Sequence, residues 1–209
     1  MLREVITVKI RNKIPTHNEE KNALLLKDGW ILIKEPKNII MSIIFSIPLM
    51  IILGLISVCI INLFSPITLE NFGINLNNIS ITINIVDIII FIIFIYIHEL
   101  IHLIFIPNFL NSDNTFLGLT WFGGYAYTEE IITKKIYILI AVMPFLLISV
   151  ISILILGPMG YLTPIIKFIC IFNAVGSSVD FFNILLVSIQ VPNKSKIVMN
   201  GQLSYYKTN

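Results

Sequence analysis

The stretch FIYIHELIHLIFI, residues 94–106, places two histidines and one glutamate inside a run that is otherwise almost wholly apolar. His98, Glu99 and His102 form the pattern H-E-x-x-H. On a helix, residues four apart lie on one face, so both imidazoles can hold one Zn²⁺ with the glutamate beside them. Zinc lowers the pKa of water and polarises a carbonyl, and a glutamate can accept the water's proton. The motif therefore predicts His98 and His102 as metal ligands and Glu99 as a general base, and hydrogen bonding of the three among neighbouring helices without metal is the alternative.

The composition is that of a membrane protein rather than of a soluble domain. Of the 209 residues, 56% are hydrophobic and only 12% are charged, and the mean hydropathy is +0.92. The net charge is only +2. No basic stripe with interleaved aromatic residues is present, so we expect no nucleic-acid partner. The expected surroundings are a lipid bilayer.

Four apolar segments are long enough to cross a bilayer as helices, which takes about 20 residues each. They cover residues 39–64, 84–106, 136–156 and 164–191. Eight of the fourteen lysines and arginines precede the first segment, and five more lie in residues 107–135 and after residue 190. Because cytoplasmic loops carry the positive excess, both termini are expected in the cytoplasm. The predicted fold is an all-α polytopic membrane protein, with a cytoplasmic segment (1–38), a four-helix membrane domain (39–191) and a cytoplasmic tail (192–209).

Two stretches outside the spans predict small cytoplasmic β-hairpins. LLLKDGWILIKEP, residues 24–36, has Asp28 and Gly29 at its centre, a frequent hairpin dipeptide. TFLGLTWFGGYAYTEE, residues 115–130, places Gly123 and Gly124 where a turn is expected. An ordinary loop is the alternative interpretation of each stretch.

A zinc site needs a third protein ligand, and the fourth span offers Asp180 in NAVGSSVDFFN, residues 173–183. A carboxylate in an apolar helix is costly unless it has a partner. Counted from the predicted cytoplasmic ends, His98 and Asp180 lie at similar depths of about 12 and 15 Å, at about 1.5 Å per residue. The only other histidine, His17, lies in a polar segment where a solvated side chain is the ordinary interpretation. A structural hydrogen-bonded role for Asp180, without metal, is the alternative.

Three further residues of the fourth span share the helical face of Asp180. They are Asn173, Gly176 and Ser177, offset from it by seven, four and three positions. Small residues on this face are expected to let the fourth span approach the second closely. The Asn173 amide is a candidate catalytic group that hydrogen-bonds the substrate carbonyl or its oxyanion, and a packing hydrogen bond is the equal alternative. Pro144, in the third span, is expected at a similar depth, where a kink would loosen packing beside the site; a purely architectural kink is the favoured interpretation.

These motifs resemble those of membrane zincins. H-E-x-x-H in one span with an Asp in a later one is similar to the site-two proteases, although Phe181 follows Asp180 where that family has Gly. The four-span layout, HELIH and N-x-x-G-S-x-x-D resemble more closely a bacterial family of small membrane proteins described as putative zincin peptidases. GWILIKEPKN, residues 29–38, is also similar to the corresponding segment of that family. The resemblance implies zinc ligation by His98, His102 and Asp180, with Glu99 as general base.

The expected function is that of a membrane-embedded zinc metalloprotease, which hydrolyses a peptide bond within or near the membrane. The expected substrate is a membrane protein or peptide. The expected location is the bacterial cytoplasmic membrane, with several crossings. The alternative is a metal-binding membrane protein without catalysis, such as a transporter, a sensor or an immunity-type protein, in which Glu99 has no catalytic role.

Overall fold

The computed structural model describes residues 9–11, 15–72, 74–75, 80–81, 84–120 and 123–208. The protein is mostly helical. Its helices are α1 (Glu19–Lys27), α2 (Ile39–Asn62), α3 (Ile85–Ile104), α4 (Lys134–Pro144), α5 (Ser152–Leu156), α6 (Pro164–Gly176) and α7 (Ser178–Gln190). A 3₁₀ turn (Leu69–Phe72) follows α2, and a π-helical segment (Phe145–Ile151) joins α4 to α5. The strands are β1 (Lys9–Arg11), β2 (Ile31–Leu32), β3 (Ile74–Asn75), β4 (Ser80–Ile81), β5 (Thr115–Thr120), β6 (Gly123–Thr128), β7 (Ile132–Thr133), β8 (Lys196–Asn200) and β9 (Leu203–Lys207).

Four helices are long and apolar enough to cross a membrane. They are α2, α3, the composite helix Lys134–Leu156 and the composite helix Pro164–Gln190. Each agrees with a predicted span to within about two residues at either end, so the prediction of four such helices is confirmed. Many large apolar side chains of α2 and α3 point outward, among them Ile44, Ile51 and Ile93. An apolar exterior of this kind suits lipid rather than water.

Local sequence signals explain where the long helices begin. Asn38, Asn84 and Thr133 are the N-caps of α2, α3 and α4, and each side chain accepts a backbone N–H of the first turn. Pro164 begins α6, where its fixed φ suits the first helical position and its missing N–H costs nothing. The spans therefore start where capping chemistry predicts.

The third span is irregular at Pro144. Proline has no N–H, so the carbonyl of Ile140, four residues earlier, lacks its usual helical donor. The chain continues past Pro144 as the π-helical segment before it returns to α-helical geometry in α5. The result is a continuous apolar helix in which Pro144 cannot give the Ile140 carbonyl its α-helical donor.

Small residues bring the fourth span close to the first span rather than to the second. A Cβ added at Gly54 of α2 would lie 3.2 Å from the Cγ2 of Val175, and the hydroxyls of Ser46 and Ser178 are 3.3 Å apart. At Gly176 the expected close approach to the second span is wrong, because a Cβ added there would meet no heavy atom within 4 Å. The missing side chain leaves open space between α3 and α6 instead of a packing seam.

A four-stranded antiparallel sheet joins the two ends of the chain. Its strand order is β2-β9-β8-β7. β2 precedes α2, β7 directly precedes α4 and β8 follows α7, so the corresponding helix ends lie at one end of the bundle. This arrangement agrees with the grouping of the basic segments on one side. The assignment of that side to the cytoplasm and the segment boundaries 1–38, 39–191 and 192–209 stay predictions.

The first predicted hairpin is wrong, because residues 24–27 end a helix. The Asn18 side chain caps α1 and the first turn is acidic, which favours a helix from Glu19 onward. Gly29 adopts a left-handed backbone with φ of 81°, and the N–H of Trp30 bonds the carbonyl of Leu25. An Asp-Gly pair meets the positive-φ requirement of a helix C-terminus as well as that of a hairpin turn. Only β2 of this stretch is a strand.

The second predicted hairpin is confirmed, but its turn lies elsewhere. β5 and β6 pair antiparallel from Thr115↔Thr128 to Thr120↔Gly123, in a sheet of order β1-β5-β6. Gly123 and Gly124 belong to β6, and residues 121–122, between the two strands in sequence, lie outside the described residues. The predicted turn at the two glycines is therefore wrong. Gly124 serves a packing purpose, since a Cβ there would clash with Glu99 of α3.

Candidate metal centre

Helices α3 and α7 bring three candidate ligands together. His98 and His102 lie one turn apart on α3, and Asp180 lies in the first turn of α7. The two Nε2 atoms are 3.2 Å apart, and each lies 3.5 Å from Oδ2 of Asp180. The three side chains are 10% to 23% exposed. Within the described part of the chain, they form the group of His and acidic residues that can hold a metal ion.

The imidazole of His98 is oriented by the fourth span. Its Nδ1–H donates to Oδ1 of Asn173 over 2.8 Å. The amide nitrogen of Asn173 donates in turn to the carbonyl of Pro144 and to Oγ of Ser149, at 3.1 and 2.8 Å. Because an amide oxygen only accepts, the proton of His98 lies on Nδ1 and its Nε2 lone pair faces the other ligands.

The imidazole of His102 is oriented by the third span. Its Nδ1 lies 2.8 Å from the carbonyl oxygen of Ile140, so Nδ1–H is the donor. This is the carbonyl whose helical donor is missing, because Pro144 stands four residues later. The proline therefore does more than bend the helix. It leaves an acceptor that fixes the tautomer of His102 with Nε2 toward Asp180.

The donor set fits a zinc ion. Ligand atoms about 2.0 to 2.1 Å from a tetrahedral ion are about 3.3 to 3.4 Å from one another. The three separations of 3.2, 3.5 and 3.5 Å match this edge length closely. Two Nε2 atoms and a carboxylate oxygen at such distances need a positive charge between them, which either a metal ion or a proton on one imidazole supplies. Two imidazoles and one carboxylate also match the ligand set of catalytic zinc sites that keep one position open.

Glu99 lies beside the three ligands and contacts the hairpin of β5 and β6. Its Oε2 accepts the backbone N–H of Ala126 over 3.0 Å. A Cβ added at Gly124 would lie 2.6 Å from Cγ of Glu99, well inside van der Waals contact. Strand β6 thus fixes the glutamate both by a hydrogen bond and by close backbone packing.

A cleft of about 440 Å³ opens onto the site. Its walls come from several elements: α2, α3, β6, α4, α7 and β8. His98, Glu99, His102 and Asp180 all contribute to its lining. The cleft is large enough to admit an extended segment of several residues beside the candidate ligands.

The structure brings together four of the predicted site residues, His98, Glu99, His102 and Asp180. Asn173 adjoins His98, and both polar atoms of its side chain are hydrogen-bonded to protein groups. His17 lies apart, next to Glu19 and to the connection between β8 and β9. The roles of these residues as ligands, base and oxyanion partner stay predictions.

Three groups at the site were not predicted from the sequence. They are the carbonyl of Ile140, the N–H of Ala126 and the bare Cα of Gly124. Two are backbone groups, which carry no residue signature. Pro144 could have pointed to the first of them, because a proline identifies the carbonyl it leaves without a donor.

Fold and site together define a class of protein. It is a mostly helical protein with four helices suited to crossing a membrane, in which the second and fourth carry a His-His-Asp group that can hold a metal ion. Residues 91–196 match the family described as "Putative zincin peptidase". The match covers just over half of the chain, and the chain belongs to this family. No curated protein and no solved structure matches the chain.

Proposed function

We propose that this protein is a membrane-embedded zinc metalloprotease that hydrolyses a peptide bond within or near the membrane. The observation that carries the proposal is the triangle of Nε2, Nε2 and Oδ2 at the edge lengths of a tetrahedral zinc site. Family membership supports the same reaction class. His98, His102 and Asp180 would hold the ion.

The remaining chemistry belongs to the chain's own residues. Zinc, when bound, supplies a Lewis acid that increases the acidity of water and polarises a peptide carbonyl. Oε1 or Oε2 of Glu99 takes the proton of the attacking water and returns it to the amine that leaves. Asn173 and the Ile140 carbonyl keep both imidazoles turned toward the ion. In this proposal Asn173 acts through His98 rather than on the substrate.

The substrate we propose is a membrane protein or peptide held in an extended conformation. β6 is an edge of its sheet among the described strands. The N–H of Ala126 points away from β5 and is bonded to Glu99, and β6 contributes Tyr125, Ala126 and Thr128 to the lining of the cleft. An extended substrate segment can pair with this edge and present a peptide bond to the site. A helical segment must unwind to do so.

The proposed location is the bacterial cytoplasmic membrane, with the metal centre near the cytoplasmic leaflet. The apolar exterior of the four long helices supports a bilayer, and the grouping of basic residues supports a cytoplasmic sheet end. A reporter enzyme that is active only in the cytoplasm, fused after the C-terminus, tests this orientation. Reporter activity is expected if the C-terminus lies in the cytoplasm.

The variant Glu99→Gln tests the catalytic role directly. We expect zinc content to stay at the wild-type level and cleavage of a model membrane peptide to fall at least about 100-fold, because an amide cannot take the proton. Metal analysis and mass spectrometry of the peptide measure the two effects. Glu70→Gln, in the 3₁₀ turn after α2, is the control for loss of one carboxylate.

Each other outcome has a definite meaning. Unchanged cleavage by Glu99→Gln contradicts the assignment of the base. Zinc binding without any peptide cleavage by the wild type favours the alternative of a metal-binding transporter, sensor or immunity-type protein.

A further inference from the structure

A second cavity, of about 160 Å³, lies between α3 and α6. Its walls are apolar and largely aromatic, formed by Phe91, Phe94, Ile95, Ile169 and Phe172. The rings of Phe91 and Phe172 pack edge to face with centroids 4.6 Å apart. Phe172 is 46% exposed, so the outer end of the cavity reaches the protein surface.

The inner end of this apolar cavity reaches the candidate site. His98, Glu99, Asn173 and Gly176 line it, and all of these except Asn173 also line the larger cleft. The two spaces therefore adjoin each other beside the proposed general base. Gly176 keeps this end of the cavity open. A Cβ added there would have no heavy atom within 4 Å, so a larger side chain would occupy space that is now empty.

We propose that this cavity is a specificity pocket, which receives one large apolar side chain of the substrate next to the cleaved bond. The inference rests on the proposed function. An apolar cavity of about 150 Å³ is enough to bind benzene, so a volume near 160 Å³ suits a benzyl or branched aliphatic group. The cavity ends at His98 and Glu99, as a pocket for a residue adjoining the reacting bond must. A substrate backbone in the cleft places such a side chain within reach, because the cleft and the cavity share His98, Glu99 and Gly176 in their linings.

Two probes with the same metal-binding head test the pocket. Acetohydroxamic acid and 3-phenylpropanohydroxamic acid differ only by a benzyl group. Their dissociation constants are measured on the zinc-loaded, full-length protein in detergent, for the wild type, Gly176→Ala and Gly176→Leu. The decisive quantity is the ratio of the two constants within each variant.

The wild type is expected to bind the phenyl compound at least about tenfold more tightly than acetohydroxamic acid. Gly176→Leu fills the opening and is expected to bring the ratio to about one, with Gly176→Ala between the two. Zinc content of each variant is measured alongside, and if Gly176→Leu loses zinc, Gly176→Ala decides alone by a reduced ratio.

Three results would overturn the pocket. If the phenyl group increases affinity equally in the wild type and in Gly176→Leu, it binds elsewhere, for example in the micelle. If the wild type binds both hydroxamates with equal affinity, an apolar side-chain pocket is excluded while the metal site stands. If neither probe binds the zinc-loaded wild type, the open metal position fails, and the proposed function and the pocket fall together.

Discussion

At the scale of single residues, the two histidines of the H-E-x-x-H motif depend on groups outside the motif. His98 donates to Asn173, and His102 donates to the carbonyl of Ile140. Both contacts hold the Nδ1 proton in place and leave Nε2 free toward Asp180. Partners of this kind commonly contribute as much as tenfold to a hundredfold to metal affinity. The orientation of each imidazole can therefore be tested through zinc binding, without a substrate.

We expect Asn173→Ala to weaken zinc binding by about 10- to 100-fold, because His98 loses the acceptor that fixes its tautomer. Competition with a chelator of known affinity measures the change. Asn173→Asp keeps an acceptor for Nδ1–H and should recover part of the affinity. A wild-type zinc affinity together with a strong loss of cleavage would contradict the positioning role and favour a contact between Asn173 and the substrate.

Pro144→Ala tests the freed carbonyl. Alanine restores an N–H that can bond the carbonyl of Ile140, which then competes with His102 for the same acceptor. We expect a zinc affinity lower by about tenfold, although the helix itself gains a hydrogen bond. Nitrogen NMR of labelled imidazoles, in the metal-free protein, should show His102 losing its fixed Nδ1–H tautomer. An unchanged His102 spectrum would show that the proline has a purely architectural role.

The residue scale is also where sequence reasoning succeeds most and fails most clearly. His98, His102 and Asp180 converge, because helical periodicity and depth are both readable from the chain. Asn173 was found as a neighbour of the site, but its partner could not be chosen between substrate and protein. That choice depends on the rotation of α6 relative to α3 and to the π-helical segment, which no local pattern specifies.

At the scale of elements, strand β6 positions Glu99 from outside the long helices. It donates an N–H to Glu99, and at Gly124 it packs its bare backbone against the same side chain. The hairpin was predictable from its two short apolar runs around a glycine pair. Its place over α3 was not, and the two glycines were therefore assigned to a turn instead of a contact.

Gly124→Ala is expected to reduce cleavage by about 10- to 100-fold while zinc binding is retained. The added Cβ would lie 2.6 Å from Cγ of Glu99 and must displace it, and small errors in the position of a catalytic group are costly. The check is a double-mutant cycle with Glu99→Gln, measured by peptide cleavage. Because the two residues act together, Gly124→Ala should add little in the Glu99→Gln background. Additive losses would mean that Gly124 affects something other than the base.

The element scale also explains the wrong hairpin at Asp28 and Gly29. Both a two-residue turn and a helix end need a residue with positive φ, and glycine supplies it in either case. The residues that decide between the two lie upstream, where Asn18, Glu19 and Glu20 mark the start of a helix. A capping signal nine or ten residues earlier thus outweighs the turn dipeptide.

At the scale of the whole molecule, an apolar exterior surrounds a polar centre. The long helices turn isoleucines and leucines outward, while His98, Glu99 and His102 of α3 meet Asp180 of α7 inside. The count of spans follows from composition, because about 20 apolar residues in a row have few other uses. The pairing of β2 with β9 and of β7 with β8 joins residues far apart in sequence, and short strands of this kind carry too little pattern to be paired in advance.

The central claim is that His98, His102 and Asp180 hold one zinc ion between the second and fourth spans. The most direct measurement is the metal content and zinc affinity of the purified full-length protein, beside Asp180→Ala and the control Asp87→Ala, which removes an acid from the first turn of α3. We expect one zinc per chain in the wild type and in Asp87→Ala, and an affinity at least about 100-fold lower in Asp180→Ala, which leaves two histidines as ligands. A wild type that binds no zinc, or an Asp180→Ala variant that binds it as tightly as the wild type, would contradict the proposed zinc site.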